Sequence, residues 1–463
     1  MANDPISPQD FGASFKSFME QMAREAPPVE EPFFRQRLRE HFGTEPSKLT
    51  ILADKFSDAN HPNVHLAIEA FTTAPGRTFE LVGITSDAPM YMGITLAQLI
   101  SRGGMHGAMM SAGPVTYTNV QLDGDRVLAC TQLGLYLVSE GDSRLALLVQ
   151  RGSERFQPGV TVEVLAVDRT AADACLADLR NAMRKRNVYR GHIVSLFADQ
   201  TLHVNFHRLP PIARDQIILP AGLLERIERQ SVGFAKHAER LRAAGRHLKR
   251  GMLLHGSPGT GKTLTAMYLA GRMPDRTVLL ITGRSMGLLE QACAMARVLQ
   301  PATIVLEDVD LIAEERTRQQ GNCSPLLFEL LNQMDGLADD ADILFVLTTN
   351  RPDLLEPALA ARPGRIDLAI EVPLPDADCR RRLFELYARG LKVSTNFEPY
   401  VERTAGASAA FIRELLRKAA LVAADEPGEL EVKPRNFDEA LHEMVIDGGE
   451  LTKSLLGGAP TKH

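Results

Sequence analysis

A single glycine-rich run, residues 256–263, constrains the fold of this chain more than any other feature. The run matches GxxxxGK[ST], follows the short apolar segment 252–254 and opens a helical stretch, which is the context in which this pattern binds phosphate. Its glycines let backbone amides turn inward around phosphate oxygens, and the helix N-terminus adds its positive dipole end. Lys262 is then placed to reach the β- and γ-phosphates of ATP, and Thr263 to hold Mg²⁺. The predicted nucleotide-binding residues of this phosphate loop are Gly256, Ser257, Pro258, Gly259, Thr260, Gly261, Lys262, Thr263 and Leu264.

A second apolar strand, about 40 residues further on, ends in two carboxylates. Residues 303–306 are followed by Glu307 and Asp308. Acids at the carboxyl edge of a parallel sheet are placed where Mg²⁺ and an attacking water belong in phosphate-cleaving proteins. We predict that Glu307 orients hydrated Mg²⁺ and that Asp308 positions or deprotonates the water.

The order of apolar segments in the C-terminal half predicts the fold. Strand-like runs alternate with helical stretches from residue 251 to about 375, which indicates a parallel sheet covered on both faces. The predicted strands are 252–254, 278–281, 304–306, 343–347 and 368–372. Three further helices, at 377–389, 409–425 and 436–446, then resemble a small lid.

The N-terminal part follows a different pattern. Residues 33–102 have mostly helical spacing, and a helix is also predicted from Ala171 to about Arg186. Between these, Gly and Asp clusters separate four apolar runs, as hairpins require. Those four predicted strands are 115–122, 127–138, 145–149 and 160–167. No catalytic constellation is visible in this part of the sequence.

Composition excludes several classes of protein. The 463 residues include 52 Lys and Arg against 58 Asp and Glu, a net charge of −6, which argues against a bulk nucleic-acid binder. No run of 18 apolar residues occurs, so no membrane span is expected. The acidic, proline-containing start does not fit a signal peptide, and the odd, scattered cysteines do not fit a disulfide framework. These features predict a cytoplasmic protein.

Two histidine pairs have metal-like spacing. His61 and His65 lie four residues apart, as do His203 and His207. Neither pair is accompanied by the glutamate or third ligand of a zinc site. We therefore expect them to be structural.

Five segments, taken together and in this order, resemble those of the AAA ATPases. This is the family of ring-forming protein-remodelling ATPases that includes FtsH, katanin and the proteasomal ATPases. The resemblance covers about residues 215–446, half of the chain, and leaves the N-terminal half uncovered. The segments are the phosphate loop, Glu307-Asp308-Val309-Asp310, Leu330-Leu331-Asn332-Gln333-Met334-Asp335-Gly336, Thr349-Asn350-Arg351-Pro352-Asp353 and Arg362-Pro363-Gly364-Arg365-Ile366-Asp367.

The resemblance implies further site residues. Asn350 matches the polar residue that orients water near the γ-phosphate, and Arg362 and Arg365 match the arginines that reach the ATP of the next subunit. A guanidinium can spread its charge over the developing negative oxygens. The small-residue turn 404–410 resembles the family's approach to adenine, which makes Ala409 a nucleotide contact. Arg413 is either a phosphate contact or an ordinary surface arginine.

Three departures from the family pattern stand out. The strand-end acids are Glu then Asp, where the family usually has Asp then Glu. The segment before Arg362 is one residue longer than is common, and an extra helical residue rotates the residues after it by about 100°; we take Arg365 as the main arginine acting in trans. The central-pore loop, residues 283–290, has no aromatic side chain, and Met286 is the nearest apolar substitute.

The predicted fold is therefore α/β: an AAA+ P-loop core with a parallel sheet and a C-terminal helical lid, preceded by a mixed α/β N-terminal domain. The predicted parts are an N-terminal arm and linker (1–32), the mixed α/β domain (33–190), a linker (191–214), the large ATPase subdomain (215–375), the lid (376–446) and a flexible tail (447–463).

The function expected from this resemblance is ATP-driven remodelling or unfolding of proteins by a homo-oligomeric ring, six-membered by analogy. ATP would be hydrolysed between subunits, and the N-terminal domain would bind a protein client or adaptor, with no nucleic acid involved. Three alternatives stay open: a nucleic-acid motor on the same core, a nucleotide-gated scaffold, and a monomeric phosphotransferase. The paired arginines argue against the last, since they have no role without a neighbour.

Overall fold

The computed structural model describes most of the chain as two compact units. The described residues are 11–12, 14–18, 21, 31–86, 93–101, 110–152, 158–199, 201–310, 330, 332–336, 341–355 and 366–444. Residues 1–119 and 129–182 belong to the first unit, and residues 120–128 and 183–463 to the second.

The first unit is built on a seven-stranded sheet in the order β1-β7-β6-β5-β2-β3, with β4 paired to β5. Its strands are β1 Thr50–Phe56, β2 Arg77–Ser86, β3 Met110–Gly113, β4 Thr116–Gln121, β5 Val127–Glu140, β6 Ser143–Arg151 and β7 Val160–Ala166. Its helices are α1 Phe33–Phe42, α2 His61–Thr72, α3 Leu96–Leu99 and α4 Arg169–Lys185. The β1–β7, β7–β6, β6–β5, β5–β2 and β2–β3 pairings are antiparallel.

One core of this unit forms where helices α1 and α3 meet the sheet. Phe34 and Leu38, four residues apart on one face of α1, are fully buried there. Leu135 of β5 and Leu148 of β6 pack in the same cluster and are opposite each other in the ladder. Residues 146–149 of β6 are buried without alternation, so both faces of this central strand are covered.

The prediction that residues 33–102 are mostly helical is wrong in part. The helices at 33–42 and 61–72 are present, but 50–56 and 77–86 are strands. Both strands are stabilised by distant partners, since β1 pairs with β7 and β2 with β5. Local spacing does not report such long-range pairing. The four strands predicted between 115 and 167, and the helix after them, are confirmed within a few residues.

The second unit contains a parallel sheet in the order β14-β10-β13-β12-β11-β8-β9, in which only the β8–β9 pair is antiparallel. Its strands are β8 Ile193–Ala198, β9 Leu202–His207, β10 Arg250–His255, β11 Thr277–Ile281, β12 Ala302–Leu306, β13 Ile343–Thr349 and β14 Leu368–Glu371. Helices α5 Leu223–Glu228, α6 Phe234–Lys236, α7 Ala238–Ala243, α8 Lys262–Gly271 and α9 Leu289–Val298 accompany it.

Both faces of this sheet are buried, as the predicted α/β architecture requires. Every residue of β11, β12 and β13 is buried. Successive residues of β12 enter two different cores: Ile304 and Leu306 lie in one, and Val305 lies in the other. The period of two along each strand therefore divides the side chains between two helical layers.

The expected linker at residues 191–214 requires a correction. Residues 193–198 and 202–207 form β8 and β9, and β8 pairs in parallel with β11. Val194 and Leu196 are fully buried in the core beneath it. The segment therefore extends the sheet of the second unit, because its apolar residues Val194 and Leu196 pack in the same core as β11.

The lid has a core of its own, in which Phe384, Phe411 and Phe437 are buried. Its helices are α10 Ala377–Tyr387, α11 Glu398–Arg403, α12 Ala409–Ala424 and α13 Pro434–His442, with a small parallel pair β15 Lys392–Val393 and β16 Glu431–Val432. The three predicted lid helices are confirmed. Across the described part of the chain, no helix combines the length and apolar character needed to cross a membrane.

Candidate nucleotide site

The parallel sheet brings three distant pieces of sequence to one edge. Strands β10, β13 and β12 are neighbours and run in the same direction, so their carboxyl ends meet. The phosphate loop follows β10, Asn350 follows β13, and Glu307 and Asp308 follow β12. The phosphate loop, Asn350, Glu307 and Asp308 therefore meet at one edge of the sheet, as expected of an α/β fold whose parallel sheet is covered on both faces.

The phosphate loop turns through backbone conformations that favour glycine. Gly256 has φ 139°, and a Cβ there would lie 2.3 Å from the carbonyl oxygen of Val372. Gly259 has φ 74°, and its Cβ would lie 2.8 Å from Ser408 Oγ in the lid. The Ala410 N–H donates to the carbonyl of Gly259 at 3.1 Å. Glycine is therefore required both to shape the loop and to let the lid approach it.

Lys262 begins helix α8 and points back into the loop. Its side chain is 5% exposed, and Nζ donates to the carbonyls of Gly256 and Ser257 at 2.9 and 2.8 Å. Burial lowers the pKa of Lys262 to about 8, while the carboxylates of Asp308 and Asp310 act in the opposite direction. The ammonium is thus held where phosphate oxygens would replace weaker carbonyl acceptors.

Glu307 has the features expected of a Mg²⁺ ligand. Its Oε1 is buried and has no hydrogen-bond partner in the described structure, and the nearby Thr263 side chain acts to lower the pKa of this carboxyl. Burial, and next the charge of Asp308, raise the pKa of Glu307. A divalent cation would satisfy the orphaned oxygen and reverse that shift, so these two residues fit Mg²⁺.

Asp308 has a strained backbone and an amide partner. It is the one non-glycine residue with positive φ in the described structure, at 48°, and such conformations cluster at functional sites. Its Oδ1 accepts from Asn350 Nδ2 at 3.4 Å. Burial raises the pKa of Asp308, helped by the charge of Asp310 and opposed by Lys262. A carboxylate with a raised pKa accepts a proton more readily, as a general base must.

A cavity of about 1230 Å³ opens over these residues. The predicted site residues on its wall are Pro258, Gly259, Thr260, Gly261, Lys262, Thr263, Leu264, Asp308, Asn350 and Ala409. Gly256, Ser257 and Glu307 are not on the wall. The volume is ample for one nucleotide.

Sequence reasoning missed the apolar part of this cavity. Its wall includes Ile212, Ile217 and Leu219 from the segment before α5, and Tyr387 and Leu391 from the lid. These residues carry no motif, and only the packing of the lid brings them to the phosphate loop. They form a surface suited to a flat apolar ring beside a charged phosphate tail.

Arg413 also lies on the cavity wall, on the exposed side of helix α12. Its charge is close enough to Tyr387 to act against the rise that burial causes in the tyrosine's pKa. Arg413 is thus solvent-exposed and also lines the cavity, and a contact with phosphate stays a prediction.

Two other predictions have different outcomes. Arg362 and Arg365 lie outside the described residues. The expectation that Met286 substitutes for the missing aromatic of the central-pore loop is not supported, because Met286 is 3% exposed and packs in a core of the second unit. Residues 283–288 form a 3₁₀ helix, and its tight turn directs Met286 inward while Leu288 is half-buried against the same core.

Comparison with known proteins agrees with this geometry. Residues 252–374 match the model of the ATPase family associated with various cellular activities (AAA). The chain is 34% identical over 210 residues to the ATP-dependent zinc metalloprotease FtsH 2 of Sphaerobacter thermophilus, covering 43% of this chain and 32% of that protein. It is 33% identical over 253 residues to FtsH of Mycoplasmopsis synoviae, covering 51% and 38%. It is 32% identical over 224 residues to proteasome-activating nucleotidase 2 of Halobacterium salinarum, covering 45% and 54%. The chain thus spans about a third to a half of the length of these relatives.

Proposed function

The chain carries an ATPase domain of the AAA family, and from this premise we propose that it assembles into a homo-oligomeric, six-membered ring that remodels or unfolds proteins. ATP is bound at the phosphate loop of one subunit and hydrolysed at the boundary with the next. The observation that supports this most strongly is the convergence of Lys262, Glu307, Asp308 and Asn350 at one edge of the parallel sheet.

Within one subunit each side chain has a separate part in hydrolysis. Lys262 neutralises the β- and γ-phosphates, and Thr263 and Glu307 hold Mg²⁺. Asp308 accepts a proton from the attacking water, which Asn350 orients through its amide. Bound Mg²⁺ supplies charge neutralisation of the phosphates. The swapped order of the two acids is compatible with these roles, because Glu307 differs from the usual aspartate by one methylene and Thr263 is near enough to influence its pKa.

The arginines connect neighbouring subunits. Arg362 and Arg365 act on the ATP of the adjacent subunit, with Arg365 as the main contact. In other phosphate-cleaving systems such a guanidinium accelerates hydrolysis by about 10³–10⁵-fold. Turnover would then require assembly, which suits a motor that works only as a ring.

Protein remodelling is proposed by analogy with the relatives. Their names specify an ATP-dependent zinc metalloprotease and a proteasome-activating nucleotidase. We carry over the ATP-dependent handling of protein and not the metalloprotease activity. No group of three or more metal-ligating side chains occurs in the described part of this chain. The first unit then selects the client or adaptor, and the protein acts in the cytoplasm.

The burial of Met286 changes how force would be applied. Because this side chain packs in a core, Met286→Ala should impair folding. We propose that motion of whole units contributes to remodelling more than an aromatic grip in the pore does.

The overall proposal is tested by measuring ATP turnover of the full chain alone, with an unfolded protein and with single-stranded DNA. Stimulation by the unfolded protein alone is expected. Stimulation by DNA alone would favour the nucleic-acid motor. ATP binding with no turnover under any condition would favour a nucleotide-gated scaffold.

Action in trans is tested by mixing variants. Arg365→Ala subunits keep an intact phosphate loop, and Lys262→Ala subunits keep an intact arginine. Rings confirmed to contain both should recover some of the turnover that each variant lacks alone. As a control, rings that mix parent subunits with either variant must first be shown to turn over ATP. If they do, absence of recovery in the mixed-variant rings would contradict a role for Arg365 across the subunit boundary.

A further inference from the structure

Asp310 lies outside the nucleotide cavity but close to the residues that line it. It follows Asp308 by two positions, is 5% exposed, and is not on the cavity wall. A buried carboxylate is costly unless it is well hydrogen-bonded. Its partners therefore indicate what it does.

The carboxylate of Asp310 is hydrogen-bonded to the end of strand β13. Oδ1 accepts from Thr349 Oγ1 at 2.9 Å and from the backbone N–H of Asn350 at 3.1 Å. In the opposite direction, the N–H of Asp308 donates to Thr348 Oγ1 at 3.0 Å. Three hydrogen bonds thus join the segment after β12 to the last residues of β13 and the residue that comes next.

These bonds begin where the backbone ladder stops. In the β12–β13 pair the last matched residues are Leu306 and Leu347. Beyond that point Asp308 takes its positive φ, so the backbone leaves the direction of the strand. The Asp310 carboxylate takes the place of a carbonyl acceptor for the N–H of Asn350, and so continues the ladder through a side chain.

From this arrangement we infer that Asp310 is a positioning residue for ATP hydrolysis. It holds the backbone of Asn350 so that Nδ2 faces Asp308 Oδ1, and it thereby sets the separation between the water-orienting amide and the proton acceptor. The inference rests on the proposed roles of Asp308 and Asn350. Asp310 itself touches neither the cavity nor the reacting atoms.

The position of Asp310 predicts a specific kinetic pattern. Misplacement of a catalytic group by about 1 Å costs on the order of 10²-fold in rate. Loss of the Asp310 acceptor should therefore lower kcat while leaving the phosphate loop, and hence nucleotide affinity, intact. If Asp310 only stabilised the fold, its substitution would lower both the ATP affinity and kcat, or would change neither.

Matched substitutions at both ends of the contact test this in the full chain. Asp310→Ala removes the acceptor, and Asp310→Asn keeps a carbonyl oxygen in the same place. Thr349→Val removes the hydroxyl donor, and Thr349→Ser restores it. Asp310→Ala should lower kcat by about 10- to 100-fold with the dissociation constant for ATP changed by less than about threefold. Asp310→Asn and Thr349→Ser should recover most of the rate.

Two further measurements separate this inference from the proposed function. Hydrogen–deuterium exchange at residues 348–350 should quicken in Asp310→Ala and not in Asp310→Asn, whether or not the protein remodels a client. In an Asn350→Ala background, Asp310→Ala should cost little more in kcat, because the residue it positions is gone. Three results would each overturn the inference. They are unchanged hydrogen exchange in Asp310→Ala, an equal loss of kcat in Asp310→Ala and Asp310→Asn, and a loss of kcat in Asp310→Ala that adds fully to that of Asn350→Ala.

Discussion

The two sheets of this protein place their strand ends differently. In the first unit successive strands β5 and β6 reverse direction through a tight hairpin at Glu140 and Ser143, so the carboxyl ends of neighbours lie at opposite edges. In the second unit β10, β13 and β12 run in parallel and all end at one edge. The second sheet therefore gathers chemistry at a single edge, and the first distributes its strand ends over both.

This difference explains why the candidate site lies in the second unit. Parallel strands need long connections, and here those connections begin with polar residues at the shared edge. The connection after β10 carries the phosphate loop and that after β12 carries the acids. Antiparallel hairpins such as 140–143 are too short to carry side chains toward a common point. The first unit is thus suited to present a surface, and the second to hold a ligand.

The largest expected effect is that of Lys262→Ala. Removal of the ammonium that faces the phosphates should weaken ATP binding by at least about 100-fold and abolish turnover. A nucleotide titration measures this directly. Leu135→Ala, in the core of the first unit, is the control and should leave ATP affinity unchanged. Undiminished affinity in Lys262→Ala would contradict the assignment of the phosphate loop.

Asp308→Asn should separate binding from hydrolysis. The amide cannot accept a proton from water, so turnover should fall by about 10²–10⁴-fold while ATP stays bound. Single-turnover hydrolysis and ATP titration on the same sample give both quantities. Hydrolysis at the parent rate would show that Asp308 is not the base, and Glu307→Gln would be the next variant to measure.

Substitution of two glycines separates the effect of backbone strain from that of contact between the phosphate loop and the lid. Gly259 and Gly245 have similar positive φ, 74° and 70°, but only a Cβ at Gly259 meets the lid, at Ser408 and Ala410. Gly259→Ala should lower ATP affinity by about tenfold, since strain and lid contact together cost on the order of 1–2 kcal/mol. Gly245→Ala should lower stability slightly and leave affinity unchanged. Equal losses of affinity would show that the lid contact is unimportant.

A smaller effect is expected from pH. The pKa of Lys262 is lowered to about 8, and phosphates favour its charged form, so ATP binding should take up a proton above that pH. Between pH 7 and 8.5 the protonated fraction, and with it ATP affinity, should fall by about fourfold. Calorimetry at pH 8.5 in buffers of different ionisation enthalpy measures the uptake. Lys262→Arg stays charged and should show no uptake; equal uptake in this variant would assign the proton elsewhere.

The smallest effect on ATP affinity is expected from a substitution in the core of the first unit. Leu135 is fully buried there, and Leu135→Ala should destabilise that unit by about 2–5 kcal/mol. Burial raises the pKa of Cys130 and Cys175 to about 12, so their alkylation at pH 8 reports opening of the unit. Faster alkylation with unchanged ATP affinity is expected. A matched loss of affinity would show that the two cores do not unfold separately.

Much of the second unit is predictable because its central strands are continuous apolar runs. The predicted strands at 278–281, 304–306 and 343–347 agree with the structure within two residues, and every residue of the corresponding strands β11, β12 and β13 is buried. The first unit is less predictable. Strands 50–56 and 77–86 have weaker patterns and depend on partners far away in sequence, which local periodicity does not register.

The chemical nature of the phosphate site can be read from the order of residues alone. The spacing of Gly256, Lys262 and Thr263 is a local property, because a tight loop and the first turn of a helix involve only neighbouring residues. The acids after residue 306 are likewise identified from the strand they end. These features depend on short-range geometry, which the order of residues specifies.

The completion of that site depends instead on packing in three dimensions. The apolar wall at Ile217 and Tyr387, the inward side chain of Met286, and the bonds from Asp310 to the end of β13 all join residues brought together by packing. None of them has a pattern of its own in the sequence. Each depends on where a distant strand or helix lies, and that position follows from the burial of apolar surface over the whole unit and not from local conformational preference.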